Sequence, residues 1–473
     1  MKFIAGTLLL VGAGTIGAFA QIPGFQHVVV IVQENRTPDN LFQGLCVPPY
    51  GSANPCSTSP TASQYDIQTG NWLNKKSSTG VTQPSTVALA NKYDLSHAHS
   101  AFTVMCDADS VTGACKMDGA GSVACSGRCP TKPQFRFVDN STGILNPYLD
   151  LATQYGWANY MFQTNQGPSF PAHQFIISGT SAPSAGSNLF ASGNPNAHGG
   201  TPDAGCYAAV GTTVALIDPA GSESSNDPIY PCFEHQTLTD LLEAKGNTWR
   251  YYTPNGGGIW TGPNAIEHIC GPNATPPNAT ACVGSDWTNN VVLNQKRILT
   301  DITNNQLQDV SWVIPNGQDS DHAGTAGLSG PSWVASIVNA IGNSPYWANT
   351  AIFITWDDWG GWYDHVPPPQ VLVNCAQWGC GYVYGFRVPL IVVSPYAKAQ
   401  YISHTQHDFG SILKFVETTF SLGSLGYADV AADDFSDCFD LNQTPLPFRT
   451  IPSALNAQYF LNDKTPPTDP DDD

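Results

Sequence analysis

Residues 27–42 read HVVVIVQENRTPDNLF. Five consecutive apolar residues, Val28 to Val32, read as a buried strand. The run stops at Gln33, and a carboxylate, an amide and a guanidinium follow: Glu34, Asn35 and Arg36. A plain reading is a buried strand reaching the surface. The sharper reading is a strand that delivers Glu34 and Asn35 to an active site.

Outward from this stretch, other short apolar runs predict buried strands: Phe175–Ile177, Val310–Ile314, Ala351–Thr355 and Pro389–Val393. Helices are expected over Pro331–Ile341, and from the N-cap Asp408 through Ile412, Leu413, Val416 and Phe420. Continuous apolar strands alternating with helices predict an α/β fold, a doubly wound and mostly parallel sheet sandwiched by helices. In such sheets ligands sit beyond the carboxyl ends of the strands, so the residues after each run carry the information. Glu34 and Asn35 follow Val32. Asp319, Asp321 and His322 follow Ile314, and Asp357, Asp358, Asp364 and His365 follow Thr355. Gln166-Gly167-Pro168-Ser169 stands just ahead of Phe175. Several polar clusters at equivalent strand ends make a constellation.

The chain has 473 residues, of which 12% are charged, with a net charge of −19. That balance argues against nucleic acid, which needs basic patches to displace counterions, and against anionic membrane surfaces. Residues 1–20 read as a signal peptide: Lys2, an apolar run, then the small-x-small pattern Ala18-Phe19-Ala20. A retained anchor is the alternative, and no other stretch is long and apolar enough for stable membrane insertion. Thirteen cysteines fit an oxidising compartment, so the protein is expected to be secreted or periplasmic. Nearest-neighbour pairing gives Cys46/Cys56, Cys106/Cys115, Cys125/Cys129, Cys206/Cys232, Cys270/Cys282 and Cys375/Cys380, with Cys438 left over. Residues 180–232 read as a long loop excursion held by Cys206 and Cys232. One catalytic domain is expected over 21–455, and a disordered acidic, proline-rich tail over 456–473.

The stretches QENRTPDNLF, GPSFPAHQFIISGT, DSDH, ITWDDWGGWYDHVPPP, RVPLIVVSPYA and DFGSILKFVE occur in this order. Together they resemble the bacterial phosphoesterase family of phospholipases C and secreted acid phosphatases, over roughly residues 25–440. The resemblance implies an alkaline-phosphatase-like fold and one divalent metal ion of unknown identity. It implies a metal site at Glu34, Asn35, Asp357 and Asp358, and a nucleophile at Ser169. Many members of that family carry Asp-Glu where this chain has Asp357-Asp358. A serine hydroxyl is a weak nucleophile at neutral pH, and a bound cation favours its alkoxide. His97, His322 and His365 are the candidate proton donors, with a two-residue register question between His97 and His99. Asn35 and His268 are candidate substrate-binding residues.

The implied activity is hydrolysis of a phosphate ester, either a small phosphomonoester or a phospholipid. The alternative is a catalytically inactive secreted binding protein on the same fold. A sulfatase is disfavoured, because no Cys-x-Pro-x-Arg segment is present. Trp356, Trp359, Trp362 and Tyr363 read as core packing or, if exposed, as a cage for a quaternary ammonium head group.

Overall fold

Eight strands build the central sheet of the computed structural model, which describes residues 24–52, 54–196, 204–325, 327–370 and 384–468. In chain order they are β1 (His27–Gln33), β2 (Gly156–Phe162), β3 (Trp249–Tyr252), β4 (Val291–Val292), β5 (Val310–Val313), β6 (Thr350–Trp356), β7 (Leu390–Val393) and β8 (Tyr401–Asp408). Their spatial order is β4-β3-β5-β1-β6-β7-β2-β8. Every pairing is parallel except those of β7, which runs against both β6 and β2. The mostly parallel sheet is thus as expected.

Both faces of the sheet are covered, which is why its strands are apolar without alternation. Phe353 and Trp356 of β6 point to opposite faces. Phe353 meets Phe415 of the helix Phe409–Phe420, with ring centres 4.9 Å apart, while Trp356 meets Tyr148 of the helix Asn146–Gln154 at 5.1 Å. Both expected helices are present, as Gly330–Gly342 and Phe409–Phe420. The second opens with a reciprocal cap: Ser411 N donates to Asp408 Oδ1 and Asp408 N donates to Ser411 Oγ, at 3.0 and 3.1 Å.

Three expectations need correction. Phe175–Ile177 is not a strand but lies inside a helix, Ser169–Ser178, closed by Gly179 in the left-handed conformation (φ 72°). All ten helical residues are buried, so the segment is apolar on every side and shows no period that separates helix from strand. The excursion 180–232 carries a three-stranded antiparallel sheet of Phe190–Ala191, Val214–Ile217 and Glu223–Ile229. The tail expected to be disordered begins with a helix, Ala457–Asn462, because Phe460 buries its ring against Trp333 at 5.2 Å.

Five disulfides join the cysteine pairs expected from spacing, from Cys46–Cys56 to Cys270–Cys282, and Cys438 is a buried free thiol. The pair Cys375/Cys380 and the segment 1–20 lie outside the described residues. Among the described residues, no helix is long and apolar enough to cross a membrane.

Candidate active site

The site forms where β1 and β6 end together. Gln33 pairs with Trp356, so Glu34 and Asp357 leave the sheet at the same level. Asp357 N donates to Gln33 O at 2.9 Å, and Arg36 N donates to Asp358 O at 3.1 Å, which ties the two turns together. Asn35 adopts a left-handed backbone (φ 62°) and donates its N–H to Asp357 Oδ1 at 3.0 Å. Gly360 (φ 60°) packs on Asn35, and any side chain there would run into it.

Ser169 enters from the other side, as the first residue of the helix Ser169–Ser178. Its hydroxyl donates to Asp358 Oδ2 at 3.2 Å, and Asp358 Oδ1 accepts from Gly360 N at 2.7 Å. Ser169 thus sits at the positive end of a helix, where developing negative charge is favoured. His97 lies beside Asn35, with Nε2 3.1 Å from Asn35 Nδ2 and 4.0 Å from Asp358 Oδ2. Its Nδ1 is 2.9 Å from Leu95 O, so Nδ1 donates and Nε2 accepts from the Asn35 amide. The His322 ring lies 6.1 Å from that of His97 and 5.8 Å from Trp260, and its Nδ1 donates to Ala323 O at 2.6 Å. Asp321, next to it, accepts from Tyr148 Oη and Trp356 Nε1, and burial lifts its carboxyl to about 6 against the pull of Arg36.

The fold therefore gathers Glu34, Asn35, His97, Ser169, His322, Asp357 and Asp358, all buried. His99 is not part of the group: it begins the next helix and faces Glu223 at 3.4 Å.

Two other expected residues are held elsewhere. His365 has Nδ1 2.7 Å from Asp39 Oδ2 and Nε2 2.8 Å from Asp66 Oδ1. Burial opposes its charge, but the two carboxylates outweigh it and raise the imidazole to about 9. Both nitrogens are thus given to carboxylates of the chain. His268 is half-exposed between Glu234 Oε1 at 2.9 Å and Asp240 Oδ1 at 3.2 Å, which lift it to about 9 against the effect of burial. The four aromatic residues of the 356–363 segment are fully buried, which removes the head-group cage. Trp362 instead carries the Arg36 guanidinium at 5.0 Å, and Tyr363 stacks on Trp72 at 4.6 Å.

One residue escaped the sequence reading. His173 lies one helical turn after Ser169, with Nε2 3.4 Å from Glu34 Oε1 and 3.9 Å from Asp357 Oδ2. The signal was a serine and a histidine four apart, visible only once the segment is read as a helix. Glu34, His173 and Asp357 each offer a ligand atom, and these atoms lie within 4.8 Å of one another. Among the described residues, Asp357 Oδ2 and Asn35 Oδ1 are buried without a hydrogen-bond partner. Buried acceptors left over at one point suit a cation, so these residues fit a divalent metal.

Over 261 residues, 49% of each chain, the sequence is 26% identical to phospholipase C A of Mycobacterium tuberculosis. It is 25% identical over 270 residues to the non-hemolytic phospholipase C of Pseudomonas aeruginosa, covering 50% of this chain and 38% of that one. The matched region thus spans half or less of these relatives' length. A solved protein of the alkaline phosphatase superfamily from Vibrio parahaemolyticus overlaps 60% of this chain and 63% of its own, at 10% identity and a TM-score of 0.32. The phosphoesterase family model matches residues 25–423, most of the length and every segment that builds the site, and the chain belongs to the phosphoesterase family.

Proposed function

We propose that this protein is a secreted, metal-dependent phosphoric-ester hydrolase with Ser169 as its nucleophile. The observation that carries the reading is the hydrogen bond from Ser169 Oγ to Asp358 Oδ2, at a helix N-terminus beside Glu34, Asn35 and Asp357. Family membership and the phospholipase C relatives support ester hydrolysis at phosphorus.

In this reading Asp358 takes the Ser169 proton as Oγ bonds to phosphorus and the bond from phosphorus to the leaving oxygen breaks. The helix N-terminus and the Asn35 amide steady the charge on the phosphoryl oxygens. The departing oxygen takes a proton from the imidazolium form of His322, whose Nδ1 is committed to a backbone carbonyl so that Nε2 is its reactive nitrogen. His97 orients the Asn35 amide by accepting from it at Nε2. Water then cleaves the phosphoserine, with the now neutral imidazole taking the water's proton, and Ser169 Oγ leaves phosphorus and takes back the proton held by Asp358. A divalent cation held by Glu34, Asn35 and Asp357 would neutralise phosphoryl charge and favour the serine alkoxide. His365 and His268 have no step in this scheme.

Export rests on the five disulfides and on the expected signal peptide, and intact mass of the exported protein would reveal loss of residues 1–20. The substrate is a phosphomonoester or a phospholipid. A hydrolysis screen of a chromogenic phosphomonoester, phosphatidylcholine and a phosphodiester, with and without chelator, separates these and tests the metal. Acid quench with labelled substrate should trap phosphate on the peptide holding Ser169. Turnover with no such adduct would mean that water attacks directly.

A further inference from the structure

His173 and Tyr251 together say what kind of cation the site takes. The hydroxyl of Tyr251, on β3, lies 3.4 Å from His173 Nδ1. The same hydroxyl donates to Trp260 O at 2.9 Å and accepts from Gly262 N at 3.3 Å. A neutral phenol has one proton to donate. With that proton on Trp260 O, the phenol oxygen is an acceptor toward His173. Nδ1 therefore carries the imidazole hydrogen, and Nε2 presents its lone pair toward Glu34 Oε1 and Asp357 Oδ2.

A nitrogen lone pair and two carboxylates turned toward one another, all fully buried, repel unless a cation lies among them. A proton on Nε2 serves Glu34 at 3.4 Å but not Asp357 Oδ2, which at 3.9 Å is beyond hydrogen-bond reach and has no other such partner among the described residues. A metal ion matches all three groups at once.

We infer that His173 is a nitrogen ligand of this site, held in its ligating tautomer by Tyr251, and that the site selects a transition-metal ion over magnesium or calcium. The inference rests on the proposed metal role of Glu34 and Asp357. Imidazole suits zinc, iron, copper and nickel, whereas magnesium and calcium prefer sites made only of oxygen; manganese serves in the test as a paramagnetic probe. Tyr251 acts as a positioning residue, through the imidazole rather than on the ion.

The test uses the full mature chain, stripped of metal and reloaded with one equivalent of zinc, manganese or magnesium. Pulsed electron paramagnetic resonance of the manganese form should show imidazole nitrogen coupling. His173→Gln should abolish that coupling and weaken zinc at least about tenfold, with magnesium affinity unchanged and circular dichroism native. Tyr251→Phe should keep the coupling and weaken zinc by about 10–100-fold. Manganese that binds, is lost in Asp357→Asn, yet shows no nitrogen coupling overturns the inference while leaving the carboxylate site standing. A wild type that binds none of the three metals overturns the metal-dependent reading as well.

Discussion

Two carboxylate–histidine clusters each join a carboxylate from the segment after β1 to one from the segment after β6, and they differ in where their positive charge comes from. One joins Glu34, His173 and Asp357; the other joins Asp39, Asp364 and His365. In the second, Arg387 grips Asp364 through two bonds of 2.9 and 3.0 Å and stands 3.8 Å from Asp39. His365 bridges Asp39 and Asp66. Its carboxylates are answered by cations of the chain. In the first cluster Asp357 Oδ2 has no hydrogen-bond partner among the described residues. Like residue types a few positions apart thus form a finished ion-pair network in one place and an incomplete one in the other. Acidic residues next to histidine do not by themselves mark a metal site; what matters is whether the chain supplies the counter-charge.

Predictions follow from this contrast. The largest effect belongs to the reacting group. Ser169→Ala should lower turnover on the order of 10⁴-fold with an unchanged melting curve, since one oxygen is removed. Near-normal turnover would make Ser169 a turn residue.

Breaking the finished network should act on the fold alone. Arg387→Met leaves Asp364 buried and uncompensated, at a cost of about 3–5 kcal/mol. Metal content per folded molecule should not change, as read by denaturant titration and elemental analysis. Metal loss in a still folded variant would show that the two clusters are one unit.

Chelation should do the reverse. Removing a cation present at 100 times its Kd costs the wild type about 2.7 kcal/mol of stability. Asp357→Asn should already have lost the metal, so chelator should no longer shift its melting temperature. An equal shift in both proteins would place the stabilising ion elsewhere.

The smallest effect is in the pH dependence. His365 is raised from 6.5 to about 9, so its stabilisation is fully present below 6.5 and is lost as pH rises through 9. Asp66 is the opposite case. Burial alone would raise it, but His365 and Arg387 lower it on balance, so its contribution is present above 3.8 and fades as pH falls further. His365→Gln should reduce the slope of the stability profile between pH 6.5 and 9, leaving the part that His268 contributes over the same range. A profile as steep as the wild type would mean that another group titrates there.

The apolar run at Val28–Val32 was enough to place a buried strand. Composition around residues 319–322 and 357–358 marked the strand ends that carry the candidate site, because parallel sheets bind ligands beyond the carboxyl ends of their strands. Nearest-neighbour pairing of the cysteines agrees with the five disulfides among the described residues, although separations of up to 26 residues do not by themselves fix connectivity. Other features depended on the tertiary structure. Phe175–Ile177 became helix because a segment buried on every side shows no period, and with that helix His173 came to stand one turn from Ser169. His97 rather than His99 reached the site because Leu95 O and the Asn35 amide hold its two nitrogens. His365 has both ring nitrogens taken by Asp39 and Asp66, which lie 326 and 299 positions away in the chain. A side chain's type is written in the sequence, but the free lone pair or proton that chemistry needs depends on which distant groups already occupy it.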